Sequence, residues 1–377
     1  MKYRFEALDG VRGGAILMVL LYHALGASYG HYHLPWNGLV RGFDAPWSFL
    51  ILSPCTLGYL GVSVFFVVSG FCIHLSFEKG CGRSLRVFAA KRFFRIYPPY
   101  LFALMLFSAF WFGHRVFPPT TGQDAFQFFT HLLLIFNFKG TLFNGINPSF
   151  WSIAVEAQLY LCYALMIPFV RRIGWGRSLT IMAVAEVGMR LASGLIETKY
   201  DLVHSPRILS GQPFFFIWSW FIGAYLAHVF MRGEIGNTWL DRIPVVPVVL
   251  ATFVCDFVRP LMPMAFFLAA LATALMLTRW LRAGSYSFER SFAWRGLSFL
   301  GLVSYSLYLV HQPVQREIVR LLGLEPLPSF LLLMALVPVF AAASWGLWAW
   351  LEQPSIAVGN AVARHWKARL GEAGAAS

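Results

Sequence analysis

The sequence predicts an all-α, polytopic integral membrane protein with about ten transmembrane helices and both termini in the cytoplasm. Composition is the first reason. Of 377 residues, 58% are hydrophobic and only 12% are charged, where a soluble domain has roughly 45–50% apolar and about 25% charged residues. The second reason is length, since ten apolar runs approach the ~20 residues that a helix needs to cross the hydrocarbon. The third is the alternation of basic loops. It accounts for a net charge of +13 without nucleic acid as a partner, because Lys and Arg concentrate on cytoplasmic loops. With 37 Phe and five Cys, a disordered chain and a disulfide scaffold are both excluded.

The first run, 11–29, has Lys2 and Arg4 before it and small residues at 24–28, the outline of a secretory signal. Arg12 and His23 leave too short an apolar core for that, so the segment is read as the first span. Further spans are expected near 57–77, 98–117, 149–170, 178–196, 209–230, 243–258, 261–280, 297–322 and 329–351. One more apolar run, 125–138, contains Gln127 and His131 and is too short to cross, so it reads as a re-entrant or interfacial segment. Counting it as a crossing would turn the basic loops after Phe169 and Thr278 outward, against the positive-inside rule. Residues 1–352 thus form one transmembrane domain, and 353–377 a short basic cytoplasmic tail too small for a second fold. Cys55, Cys72, Cys81, Cys162 and Cys255 show no CxxC spacing and read as packing residues.

An ionisable residue inside a span is costly and is a functional candidate by default. His23 lies roughly 16 Å beyond Arg12 along an ideal helix. Glu156, in Trp151-Ser152-Ile153-Ala154-Val155-Glu156, is expected roughly 10 Å below the outer face. His311, at the end of Ser304-Tyr305-Ser306-Leu307-Tyr308-Leu309-Val310-His311, reaches a similar height. Three acid–base residues from three spans at one depth suit a buried general-base site, an imidazole with a carboxylate to orient or stabilise it. Glu186 and Arg190, four apart on one span, read instead as an internal ion pair.

Arg92 and Arg95 stand one helical turn apart at the inner face, just before Pro98 and Pro99 open the next span. With Arg12 they suit a phosphate or pyrophosphate, although the ordinary basic bias of inner loops accounts for them as well. The stretch 61–71 reads as a close-packing face of small residues, with Ser69 as a residue that could also face a cavity. His31 and His33 in the first outer loop are too few to make a metal site by themselves.

Leu8-Asp9-Gly10-Val11-Arg12 is followed by ten residues and His23. Blocks at 61–71, 92–100, 151–160 and 305–313 follow in order over nearly the whole chain. In these blocks the sequence resembles the acyltransferase-3 family of integral membrane O-acyltransferases. The resemblance implies transfer of an acyl group, usually acetyl, from acyl-coenzyme A to hydroxyls of carbohydrates or related acceptors, by a multi-pass protein of the inner (cytoplasmic) membrane. It implies that Arg12 and His23 are the family's Arg-x10-His pair, Arg92 and Arg95 its Arg-x-x-Arg pair, and Glu156 the acid of its Trp-Ser-x-x-Val-Glu block. Ala157 stands where many members have a second acid, so the acidic role rests on Glu156.

The expected site therefore has His23 and Glu156 as catalytic residues. Arg12, Arg92 and Arg95 hold acetyl-CoA or another acyl-CoA, Asp9, Ser69 and His311 are additional candidates, and no metal takes part. The acceptor is expected to be a carbohydrate, a lipid-linked glycan or a glycosylated small molecule. Trp36, Trp47, Phe126, Phe128 and Phe129 are candidates for stacking against it, or form the interfacial aromatic belt. Some relatives carry an extracytoplasmic esterase-like domain. The sequence leaves no room for one, which implies direct transfer or a separate extracytoplasmic partner.

The competing reading is a transporter or flippase for an anionic or lipid-linked glycan substrate, which ten spans with intramembrane His and Glu would also fit. No pair of broken helices at corresponding positions marks an inverted repeat, and acyl-CoA consumption by purified protein separates the two classes. A purely structural scaffold leaves the shared depth of His23, Glu156 and His311 unexplained.

Overall fold

A computed structural model describes residues 2–30, 34, 45–80, 84–110, 116–143, 145–200, 211–284 and 286–375. The described residues form helices and turns with no strand, the arrangement that lets a chain in lipid satisfy its own backbone. In order the α-helices are α1 (Lys2–Tyr29), α2 (Trp47–Leu52), α3 (Gly61–Leu75), α4 (Leu85–Phe110), α5 (Gly122–Leu132), α6 (Phe150–Ile173), α7 (Trp175–Lys199) and α8 (Ile217–Arg232). Then come α9 (Val245–Phe257), α10 (Met264–Ala283), α11 (Phe292–Leu302), α12 (Ser304–Leu322), α13 (Pro326–Ala335), α14 (Val337–Leu347) and α15 (Gln353–Ala375).

Six segments among the described residues are long and apolar enough to cross a membrane: Leu8–Tyr29, Trp47–Lys79, Phe150–Ile173, Trp175–Lys199, Pro213–Arg232 and Met264–Ala283. Pro326–Ala335 and Val337–Ala368, bent by 47°, make a seventh if the pair is one span. The runs expected near 98–117, 243–258 and 297–322 take other forms. α4 begins at Leu85 and carries Pro98 and Pro99 inside it rather than at its start. Each proline deprives the carbonyl four residues earlier of its helical partner. Packing carries the helix through: α15 lies along α4, with Gly359 against the Phe94 side chain, and, next to the freed carbonyls of Phe94 and Arg95, the Tyr305 hydroxyl donates to the Ile96 carbonyl at 2.7 Å. The run at 243–258 becomes the 13-residue α9, bounded by Pro244 and Val258. The run at 297–322 is divided at Val303, where Ser304 Oγ takes up the Gly301 carbonyl at 2.8 Å.

The segment at 125–138 contains the 11-residue α5, capped by Thr121 and Asp124 and far short of the ~20 residues of a span. The chain reverses at Leu134, whose φ is 57°. Side chains of the bundle hold the turn. Tyr97 and Tyr100 donate to the carbonyls of Leu132 (3.0 Å) and His131 (2.7 Å), and Gln158 donates to Leu134 O at 2.7 Å. His31, His33 and Trp36 lie outside the described residues.

Small residues set the closest helix pairs, as expected for 61–71. In the crossing of α3 and α8, a Cβ on Gly70 would overlap the Trp220 carbonyl, and one on Gly223 the Val67 carbonyl. In that of α1 and α11, Gly13 and Gly301 meet the carbonyls of Leu297 and Asp9 in the same way. Lipid supplies no hydrophobic drive between helices, so such close backbone contact is what holds them.

The ion pair expected at Glu186 and Arg190 is present, and both residues are 0% exposed. Glu186 Oε1 accepts from Arg190 at 3.0 and 3.1 Å and from Ser219 Oγ at 2.7 Å. Its Oε2 accepts from the Trp218 N–H at 2.9 Å. Arg190 also donates to the carbonyls of Pro263 (2.9 Å) and Phe215, under the rings of Phe216 and Phe266. The pair thus ties α7 to the starts of α8 and α10. Arg190→Leu leaves the Glu186 charge buried without a counter-ion, a loss of about 3–5 kcal/mol. A sharp fall in the melting temperature of the detergent-solubilised protein is expected, largely recovered in Glu186→Leu/Arg190→Leu, and an unchanged melting temperature in the single variant would contradict this role.

Candidate active site

α1, α3, α4, α6 and α12 enclose a cavity of about 350 Å³. Its wall carries three cations, Arg12, Arg92 and Arg95, and two acids, Asp9 and Glu156. Ser69, Ser152, Tyr160, Tyr305 and Tyr308 add hydroxyls, and Cys72 a thiol. The volume falls in the range of small-molecule sites.

Helical spacing explains who meets whom. Asp9 and Arg12, three apart on α1, form an ion pair at 3.4 Å. Arg92 and Arg95, three apart on α4, turn to the same side of that helix. Arg92 Nη2 donates to Ser76 Oγ at 3.1 Å, and its guanidinium lies 5.9 Å from the Phe88 ring centroid. Arg95 feels the charges of Glu352 and Glu156. Glu156 Oε1 accepts from Ser69 Oγ at 2.8 Å and from the Tyr160 hydroxyl at 2.7 Å, the latter one turn further along α6. The structure therefore brings Arg12, Arg92, Arg95, Glu156, Asp9 and Ser69 together around one space.

His23 and His311 do not line this cavity. They meet each other, with ring centroids 5.0 Å apart, and Tyr308, which lines the cavity, is 5.3 Å from His311. Two hydrogen bonds give the antiparallel register of α6 and α12: Ser152 Oγ with the Tyr308 hydroxyl at 2.7 Å, and Ser149 Oγ with Gln312 Oε1 at 2.5 Å. His311 is thus level with the start of α6, and Glu156 lies roughly 9 Å further along that helix, beside Ser304 and Tyr305. The common depth expected for His23, Glu156 and His311 is not what forms. That expectation requires a helix starting at the outer face. Instead α6 starts among buried residues, with Asn147, Ser149 and Phe150 at 0%, 1% and 0% exposure, and Glu156 lies with the arginines in the cavity wall.

Sequence reasoning missed Glu352. It is 2% exposed, accepts from Ser306 Oγ at 2.9 Å and is electrostatically coupled to Arg95 and Arg12. It lies in a π-helical turn, Trp348–Glu352, a local widening frequent at functional sites. As an acid at the end of the last apolar run it could have been noticed, but no spacing links it to Arg95. Tyr160 and Tyr308 lie within the noted blocks, yet a tyrosine in an apolar run carries no sign of its own. Of the aromatic residues considered for an acceptor, Trp47, Phe126 and Phe129 are exposed and Phe128 is buried, and none borders the cavity.

Chemically, the arginines offer forked, permanently charged donors for phosphate or a developing oxyanion. The hydroxyls can align a polar carbonyl, and the histidine pair lies one tyrosine away. Among the described residues no group of three or more His, Cys, Asp or Glu could hold a metal ion.

A family model described as an acyltransferase domain, acyltransferase-3, matches residues 5–349. Peptidoglycan O-acetyltransferase OatA of Listeria monocytogenes is 23% identical over 82% of the chain and 49% of its own length. The putative peptidoglycan O-acetyltransferase YrhL of Bacillus subtilis is 25% identical over 81% of the chain and 48% of its own length. Acyltransferase MdmB of Streptomyces mycarofaciens is 31% identical over 33% of the chain and 32% of its own length. The chain thus spans about half the length, or less, of these curated relatives. No solved structure matches it. With the motif blocks meeting around one cavity and the family match running over nearly all of its length, the chain belongs to the acyltransferase-3 family.

Proposed function

We propose that the protein is a membrane O-acyltransferase. It moves an acyl group, most simply acetyl, from cytoplasmic acyl-CoA to a hydroxyl of a carbohydrate or glycan acceptor. One observation carries the reading: Arg12, Arg92 and Arg95, from two helices far apart in sequence, share one cavity with Glu156. Three guanidiniums around one space suit the phosphates of a coenzyme A donor, whose pantetheine arm then runs along the cavity toward Tyr308 and the histidines. The names of two relatives, peptidoglycan O-acetyltransferases, support a glycan hydroxyl as acceptor, presented directly or by a separate extracytoplasmic partner. The reading includes ten membrane passes, both termini cytoplasmic, in the inner membrane, with 125–138 re-entrant and 353–377 on the cytoplasmic side.

In the transfer, His23 takes the proton of the acceptor hydroxyl as its oxygen attacks the thioester carbonyl. The carbon–sulfur bond breaks, and the coenzyme A thiolate leaves with the proton that the imidazolium returns. Glu156, tied to Ser69 and Tyr160, serves from the donor cavity. It balances the guanidiniums and holds the hydroxyls that face the thioester.

Arg92→Ala and Arg95→Ala should each weaken acyl-CoA binding by about 1.5–3 kcal/mol for a charged hydrogen bond, with partial recovery in the Lys variants. Binding isotherms with a non-hydrolysable acyl-CoA measure this, and unchanged affinity in both Ala variants removes the arginines from the donor site. His23→Ala should lower turnover by about 10²–10⁴-fold while leaving donor affinity intact, because a base acts on the barrier more than on ground-state binding. Normal turnover in that variant excludes the mechanism. For the topology, cysteines placed at Arg172 and Arg290 should react with an impermeant reagent only from the cytoplasmic side, and labelling of position 172 from outside would reverse the proposed count.

A further inference from the structure

We infer that His311 is a positioning residue for His23: its Nε2 accepts an N–H from the His23 ring and so presents the other His23 nitrogen to the acceptor hydroxyl. The inference rests on the acyl-transfer reading above, with His23 as the base.

A neutral imidazole carries one N–H, and the partner of each nitrogen decides which one bears it. Nδ1 of His311 lies 2.8 Å from the Tyr308 carbonyl oxygen. A carbonyl only accepts, so Nδ1 bears the proton and Nε2 holds the lone pair. His311 is 1% exposed, and its Nε2 makes no hydrogen bond among the described residues. Buried polar atoms almost always find partners, and leaving one without costs about 1–3 kcal/mol. The His23 ring is beside it, at 5.0 Å between centroids and tilted by 53°. The spacing is that of two bonded imidazoles, about 2.9 Å between nitrogens and about 1.1 Å from each centroid to its nitrogen, so a turn of the His23 ring closes the bond that His311 Nε2 otherwise lacks.

The surroundings hold the ring in place. Pro313 removes the helical partner of the Leu309 carbonyl, and Asn147 Nδ2 takes that carbonyl at 2.9 Å. With the bond between Ser149 and Gln312, this clamps α12 on both sides of His311. Gln315 Nε2 reaches the Leu20 carbonyl on α1 at 3.3 Å, joining the helices that carry the two histidines. Glu156 is placed for other work, since its Oε1 holds Ser69 and Tyr160 at the level of the arginines. The orienting partner of a catalytic base is a familiar element of triads, and here an imidazole of fixed tautomer occupies that place.

The test uses the full chain in nanodiscs, with acetyl-CoA as donor, the trimer of N-acetylglucosamine as acceptor probe, and released thiol as the readout. His311→Leu should lower kcat by about 10²-fold, the scale of a misplaced catalytic group, with KM for acetyl-CoA and the melting temperature unchanged. His311→Gln, whose side-chain oxygen can accept near the position of Nε2, should recover most of the rate. Equal losses in both variants, or a loss that follows the melting temperature, would overturn the inference. A second measurement is independent of turnover. In ¹⁵N spectra of histidine-labelled protein, the bare Nε2 of His311, assigned by its disappearance in His311→Gln, should shift in His23→Ala. An unmoved signal overturns the pairing even if turnover is normal. A shifted signal without turnover in the unsubstituted protein overturns the acyl-transfer reading alone.

Discussion

A charge or a backbone carbonyl inside a bilayer has no water to answer it, and the rest of this structure depends on how the protein supplies that answer. Glu186 and Arg190 show the closed solution. Both are fully buried, protein groups bond to each, and the result is a pin between α7, α8 and α10. The cavity shows the open solution. Its guanidiniums face acids, Asp9 and Glu156 in the wall and Glu352 close by, yet the groups surround a void. Removing charge from water is expensive unless its bonds are replaced, so a void among cations is where an anionic ligand gains most.

The same constraint governs the helices. Where proline or a break frees a carbonyl, a side chain takes it: Asn147, from before α6, at Leu309, and Ser304, three residues on, at Gly301. Tyrosines do the same at the reversal after α5, where Tyr97 and Tyr100 hold Leu132 and His131. These bonds gather around the cavity and the histidine pair. They join the start of α6 to α12, α11 to α12, and α4 to α5, with no dependence on continuous regular helix. A rigid frame of this kind is what a site needs if donors and bases are to keep their places.

Much of the site is legible in the amino-acid sequence. The spacing of Asp9 and Arg12, of Arg92 and Arg95, and of Glu186 and Arg190 follows from helical geometry, because neighbours three or four apart share a face. The small residues of 61–71 announce close packing. Depth is less legible. A height for Glu156 counted from the start of its apolar run is wrong, because hydropathy marks where apolar residues begin and does not say whether lipid or protein surrounds them. The register of α6 against α12 sets Glu156 with the arginines, roughly 9 Å along the helix from the level of His311. Spans are hard to read for the same reason. The prolines of α4 are accommodated by contacts from α15 and α12 that no local pattern encodes.

Composition, the order of apolar runs and the identity of the charged residues determined the class of the molecule and most of its candidate groups, because those depend on transfer free energy and on helical periodicity, which are local. Only the tertiary structure decided which groups meet: three arginines with Glu156, and His23 with His311. Meeting depends on where each helix starts, bends and crosses, and those are fixed by contacts between residues hundreds of positions apart, such as Gln315 with Leu20. The tautomer of His311 belongs to the second kind. The residue is plain in the sequence, but the proton's place follows from a ring held against one carbonyl.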